Sequence, residues 1–184
     1  TGSSGHQPIS AFAFRGSRFT STTNFVNSIF NNDVYFGGSD FNYASFSLSE
    51  FNGDTEFDNT IFVTKAEFRD LIFNDNIDFS CSAFSGKTYF SEIDFLFDAD
   101  FRKSVFNGST YFYEDTFYDD AIFNDAVFEG NTSYDSTQFK DDALFWNTTF
   151  LGKLSLSRTR YEELYIRWSY INGSLIYDDA AFMS

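Results

Sequence analysis

The sequence predicts an all-β fold: a solenoid in which each coil is built from very short strands. Three observations lead there. Phenylalanine recurs at alternating spacings of five and six, an internal period of 11. A second, small or β-branched residue precedes nearly every one of these aromatics by two positions. The only proline, Pro8, stands before the lattice begins, so nothing interrupts it. A period of this kind marks a repeat architecture, and a helix would need apolar spacings of three and four.

The lattice opens as Phe14, Phe19, Phe25, Phe30, Phe36 and Phe41, continues through Phe46 and Phe51 to Phe57, and runs in fives and sixes to Phe128. Tyr134 substitutes once; Phe139, Phe145 and Phe150 follow, then Leu156, Tyr161, Ile166, Ile171, Ile176 and Phe182. Of these 32 positions Phe fills 26, and only Phe12 and Phe97 of the 28 phenylalanines fall outside. The inward partners two residues earlier include Ser28, Thr60, Ala66, Ala99, Ala121, Ala126 and Ala143. Positions two apart in extended chain share a face, so each strand points one small and one large side chain inward before the chain turns a corner. Asp115 breaks this rule, because it stands where a small inward residue belongs; a distorted unit or contact with water is the expected relief.

Units such as Ala121-Ile122-Phe123-Asn124-Asp125 and Ala126-Val127-Phe128-Glu129-Gly130 resemble the repeats of the pentapeptide-repeat family. The resemblance covers residues 12–182 and implies a right-handed quadrilateral parallel β-helix with four units per coil, hence about 8 coils and a rod roughly 38 Å long. The chain departs from the five-residue rule at every second corner, which carries one extra residue. Two diagonally opposite edges should therefore bulge. The extra residue is missing between Phe36 and Phe51 and again from Leu156 to Ile176, where spacings of five persist.

Domain organisation follows. Residues 1–11 read as a flexible tail or artificial linker, residues 12–182 as one β-solenoid domain, and 156–182 as a divergent C-terminal coil. No segment looks like a cap, so the end coils are expected to associate end to end or to be covered by further chain.

Function must then reside on the outer walls. The net charge of −15, from 27 acidic and 12 basic residues, argues against direct binding of nucleic-acid phosphates. No apolar run is long enough to insert in a membrane, and one cysteine excludes an internal disulfide. Catalysis is not expected: His6 is the sole histidine and lies in the tail, Cys81 has no histidine partner, and the paired carboxylates sit on a convex rod without a predicted cleft. No cofactor motif is present.

Residues 22 apart stack on one wall. Asp54, Asn76, Asp98, Asp120 and Asp142 form one bulged edge. Lys65, Lys87, Ser109, Asn131 and Lys153 form the other, preceded by Gly86, Gly108, Gly130 and Gly152. The glycines read as a corner needing positive φ. The aspartates read as caps of turn amides, with Asp54, Asp98, Asp120 and Asp142 as weak candidate metal ligands. Ile61, Ala83, Val105 and Val127 make a possible apolar interaction stripe, and Tyr89 and Tyr111 stack on another wall.

These features point to a non-enzymatic scaffold that binds a protein partner or a second copy through end coils or an apolar wall, as part of a larger protein or assembly. It reads as a soluble domain, cytoplasmic in preference to extracellular. The family resemblance adds two alternatives: a DNA mimic that inhibits DNA gyrase, and an extracellular recognition domain.

Overall fold

A computed structural model describes residues 11–183. The tail expected for residues 1–11 lies outside the described residues except for Ala11, which opens the first strand, Ala11–Ala13. The described residues contain 25 strands in one continuous parallel sheet and no helix.

Each strand pairs with the strand one coil earlier and one coil later. The offset is 22 residues through the middle of the rod: Ala83 pairs with Ile61 and Val105, and Tyr89 with Glu67 and Tyr111. Backbone amides bond along the axis from coil to coil, as from Phe57 to Asp78, Phe79 to Asp100 and Phe101 to Ile122, each at 2.7 Å. The register drops to 21 between Phe41 and Tyr43, where one bulge residue is missing as expected. It drops again between Phe139 and Asp142 against Tyr161 and Glu163.

One lattice position is corrected near the C-terminus. Leu154 pairs with Leu175 and Ser155 with Ile176, which puts Tyr177 above Leu156. The Ala180 amide bonds the Tyr177 carbonyl as that of Thr60 bonds Phe57. Tyr177, not Ile176, therefore holds the corner, and the step from Ile171 keeps its extra residue. Spacing alone misassigned it because Ile176 is the more apolar of two adjacent residues.

Inside the tube the rings form four columns. One runs Phe14, Phe36, Phe57, Phe79, Phe101, Phe123, Phe145, with centroids 4.8–5.1 Å apart. The diagonally opposite column runs through Phe68, Phe90, Phe112 and Tyr134. These two meet edge to face across the axis, as Phe101 and Phe112 do at 5.6 Å and 89°. Both arrangements suit the ring quadrupole and are worth about 0.5–1.5 kcal/mol per pair beyond burial. From Phe36 to Phe128 every lattice ring is essentially inaccessible to solvent.

At many corners after these two columns residue i+3 donates to the carbonyl of residue i, as Thr60 does to Phe57, Ser82 to Phe79 and Thr137 to Tyr134. Their third residue is left-handed: Gly16, Asn27, Gly38, Leu48, Asn59, Asp70, Cys81, Glu92, Lys103, and onward to Asp179. A positive φ at that position is the mark of a type II turn.

The glycine column is different, and here the expectation of positive φ is wrong. Gly86, Gly108, Gly130 and Gly152 have ordinary φ. A Cβ on Gly108 would lie 2.1 Å from the Gly86 carbonyl oxygen, and one on Gly130 2.4 Å from that of Gly108. These glycines permit close stacking of backbone on backbone, not an unusual dihedral.

Asp115 is also corrected. It is neither distorted out of the lattice nor in contact with water: it is fully buried, in a column it shares with Thr137 and Thr159, while Ser104 and Thr148 hold the equivalent position in the diagonally opposite column. Those hydroxyls donate to a carbonyl 25 residues earlier, Ser104 to Phe79 at 2.6 Å and Thr137 to Phe112 at 3.0 Å. Asp115 instead accepts the Ile93 amide at 3.0 Å through Oδ1, and its Oδ2 has no partner. Burial above all, and then the charges of Asp94 and Glu92, raise its carboxyl well above the usual range, against the opposing pull of the Ile93 amide.

Candidate functional site: the outer walls

The walls carry side-chain columns of uneven height, and this produces what the sequence reading did not foresee. Open grooves form between neighbouring columns.

The acidic wall holds one. Asp54, Asp98 and Asn76 of the bulged edge stand beside the strand column Glu56, Asp78, Asp100, Ile122, and together they line a groove of about 380 Å3. Burial and the neighbouring carboxylates raise the pKa of several of these groups. Burial first, then the charge of Asp119, raises Asp98; burial, then Asp98 and Asp142, raises Asp120. Burial and Glu163 raise Asp142. Arg102 forks onto Asp100, with Nε at 2.8 Å and Nη2 at 2.5 Å from Oδ2, and is, among the described residues, the one cation lining this groove.

Of the four aspartates singled out as weak metal candidates, only Asp120 falls in a cluster close enough to share an ion. Its companions are Asp119 and Asp141, with carboxylate oxygens within 4.8 Å of one another. Asp54, Asp98 and Asp142 are not brought into it. The adjacent Asp-Asp pairs in the sequence carried the signal, since they place Asp119 and Asp141 one above the other with Asp120 beside them at the corner. Asp119 Oδ1 accepts the Asp120 amide at 3.2 Å, and Asp141 Oδ1 the Asp142 amide at 3.0 Å, so at this edge the residue before the column does the capping and Asp120 and Asp142 donate.

The stripe Ile61, Ala83, Val105, Val127 stacks in register on another wall. Ile61 is exposed and the other three half-buried. Tyr89 and Tyr111 stack with centroids 5.2 Å apart and planes 13° apart. Below them the Glu67 carboxylate accepts a short hydrogen bond from the Tyr43 hydroxyl and pairs with the Lys65 ammonium at 2.6 Å. Burial opposes ionisation of Glu67, but Lys65 and Tyr43 outweigh it and leave its carboxyl below the usual range.

One comparison with known proteins bears on the class. Residues 90–133 match the family model of pentapeptide repeats (9 copies). The pairing register on either side of that span continues the same coils, so the fold is a pentapeptide-repeat β-solenoid. Among solved structures, the chain is similar to QnrB1, a plasmid-mediated fluoroquinolone resistance protein, at 12% identity over 86% of this chain and 87% of that chain. The TM-score is 0.25, too low for that likeness to inform function. No curated protein matches.

Proposed function

We propose that this solenoid is a non-catalytic scaffold whose acidic wall holds a basic segment of a partner protein. The observation that carries this reading is the groove between two carboxylate columns, Asp54 and Asp98 on one side and Glu56, Asp78 and Asp100 on the other. Carboxylates repeated at coil spacing repel, and a chain bearing lysine or arginine relieves that repulsion. The stacked core makes the wall stiff, so its charges are presented without an ordering cost on this side. The reading assigns no catalytic residue; Cys81 is an exposed corner residue. No helix among the described residues is long and apolar enough to cross a membrane.

The test is titration of a fluorescent lysine-rich peptide at two ionic strengths. Binding should weaken with salt and drop at least tenfold in the double variant Asp78→Asn, Asp98→Asn. Affinity that ignores both changes removes the reading. The net charge also supports the DNA-mimic alternative, and a DNA gyrase supercoiling assay separates the two: supercoiling unaffected by excess protein leaves the scaffold.

A further inference from the structure

A second groove lies on a different wall, in the middle of the rod. It has a volume of about 470 Å3 and is lined by Tyr89, Tyr111, Tyr113, Asn131, Asp135 and Lys153, among others. Its origin is legible in one column: Glu67, Tyr89, Tyr111, Ser133 and Ser155 succeed one another coil by coil. The lower end of the tyrosine stack is closed, because the Arg69 guanidinium lies 4.2 Å and the Lys65 ammonium 5.1 Å from the Tyr89 ring centroid. The upper end is open. Among the described residues the only ring stacked on Tyr111 is Tyr89, and the next two positions are serines. A ledge one ring thick is left above Tyr111.

The flanks of that ledge are polar and mixed in kind. Asn131 Oδ1 accepts the Lys153 amide at 3.0 Å, and Asp135 Oδ1 accepts the Ser155 hydroxyl at 2.5 Å and the Ser157 amide at 3.1 Å. These bonds fix both side chains. Among the described residues the Asn131 amide NH2, the second Asp135 oxygen and the Lys153 ammonium make no hydrogen bond. An aromatic floor with donors on one flank and an acceptor on the other suits a ligand with a flat apolar face and a rim of hydroxyls that both donate and accept. A pyranose ring has that character. A phenylalanine or leucine from a protein partner would cover the floor and leave the polar rim unpaired.

We propose that this ledge is a saccharide-binding site, with one pyranose ring stacked on Tyr111 in the place a ring at position 133 would take, and its hydroxyls held by Asn131, Asp135 and Lys153. The site is separate from the acidic wall and does not depend on the scaffold reading.

The experiment uses cellohexaose, chitohexaose and hexagalacturonate as probes, with ligand-detected NMR and calorimetry on the full chain. At least one probe should bind, and Tyr111→Ala should weaken it about tenfold, or about 1.4 kcal/mol. Ser133→Tyr is the sharper variant: it extends the existing stack, so melting should hold steady while the sugar is displaced. Tyr111→Phe should retain binding. The proposal is overturned if none of the three probes binds at millimolar concentration, or if binding persists in both Tyr111→Ala and Ser133→Tyr.

Discussion

Asp115 offers the most direct test of the structure, because its column states what it ought to be doing. At the equivalent positions Ser104 and Thr137 hold a proton and donate it to the carbonyls of Phe79 and Phe112; for residue 115 that carbonyl belongs to Phe90. A carboxylate cannot donate, whereas a carboxylic acid can. Burial raises the Asp115 carboxyl well above the usual range and so favours the acid form, while its Oδ2 makes no hydrogen bond. The linkage has a definite sign. The folded pKa is raised, so the folded state holds a proton that the unfolded chain releases above about pH 3.9. Stability is then complete below that pH and lost as pH rises, by about 1.4 kcal/mol per unit, until the folded pKa is reached. Asp115→Asn keeps the acceptor for Ile93 and supplies a permanent donor. It should remove this slope and, near neutral pH, gain at least the roughly 1–3 kcal/mol cost of an unsatisfied buried group. Urea unfolding of both proteins at pH 4, 5, 6 and 7 measures the difference. Asp98, Asp120 and Asp142 titrate in both backgrounds and cancel. Two stability curves that stay parallel across this range would refute the reasoning.

Other outcomes follow from the packing. Tyr134→Phe should stabilise by about 1–3 kcal/mol, since the buried Tyr134 hydroxyl has no partner; a loss in thermal melting would contradict this. Gly108→Ala should cost about 1–3 kcal/mol or more, because its Cβ meets the Gly86 carbonyl; melting that matches the wild type would mean the coils can part. Phe101→Ala should cost about 3–5 kcal/mol by opening a hole between stacked and edge-on neighbours, measured by denaturant unfolding. Lys103→Gly should be neutral or stabilising, since it relieves a left-handed non-glycine residue.

The interior was readable because it is redundant. Each phenylalanine repeats the same instruction, and Phe101 or Phe112 could be assigned from spacing alone. The missing bulge residue near Phe41 was legible for the same reason. What was not legible depends on distances between backbones or on the ends of columns. Gly108 looks the same in sequence whether a turn or a close approach demands it, and only the carbonyl at 2.1 Å decides. Ile176 and Tyr177 differ by one step in a region where the lattice has lost its phenylalanines. Tyr89 and Tyr111 were visible as a stacked pair. The ledge above them was not, since it is made by what Ser133 and Ser155 lack. Asp119 and Asp141 are one coil apart and so were legible by a count of 22, but the turn of Asp120 toward them at the corner was not.

The half-coil period of 11 gives the interior a twofold screw that the exterior does not share. Excising one full coil would shorten the rod and leave every face continuous with itself. Excising 11 residues would satisfy the ring lattice equally well, yet everything downstream would be turned through half a revolution, so that the carboxylate edge abutted the lysine edge. The core thus tolerates a splice that the surface cannot, and any drift in length by half-units would have been silent in folding and audible only in recognition.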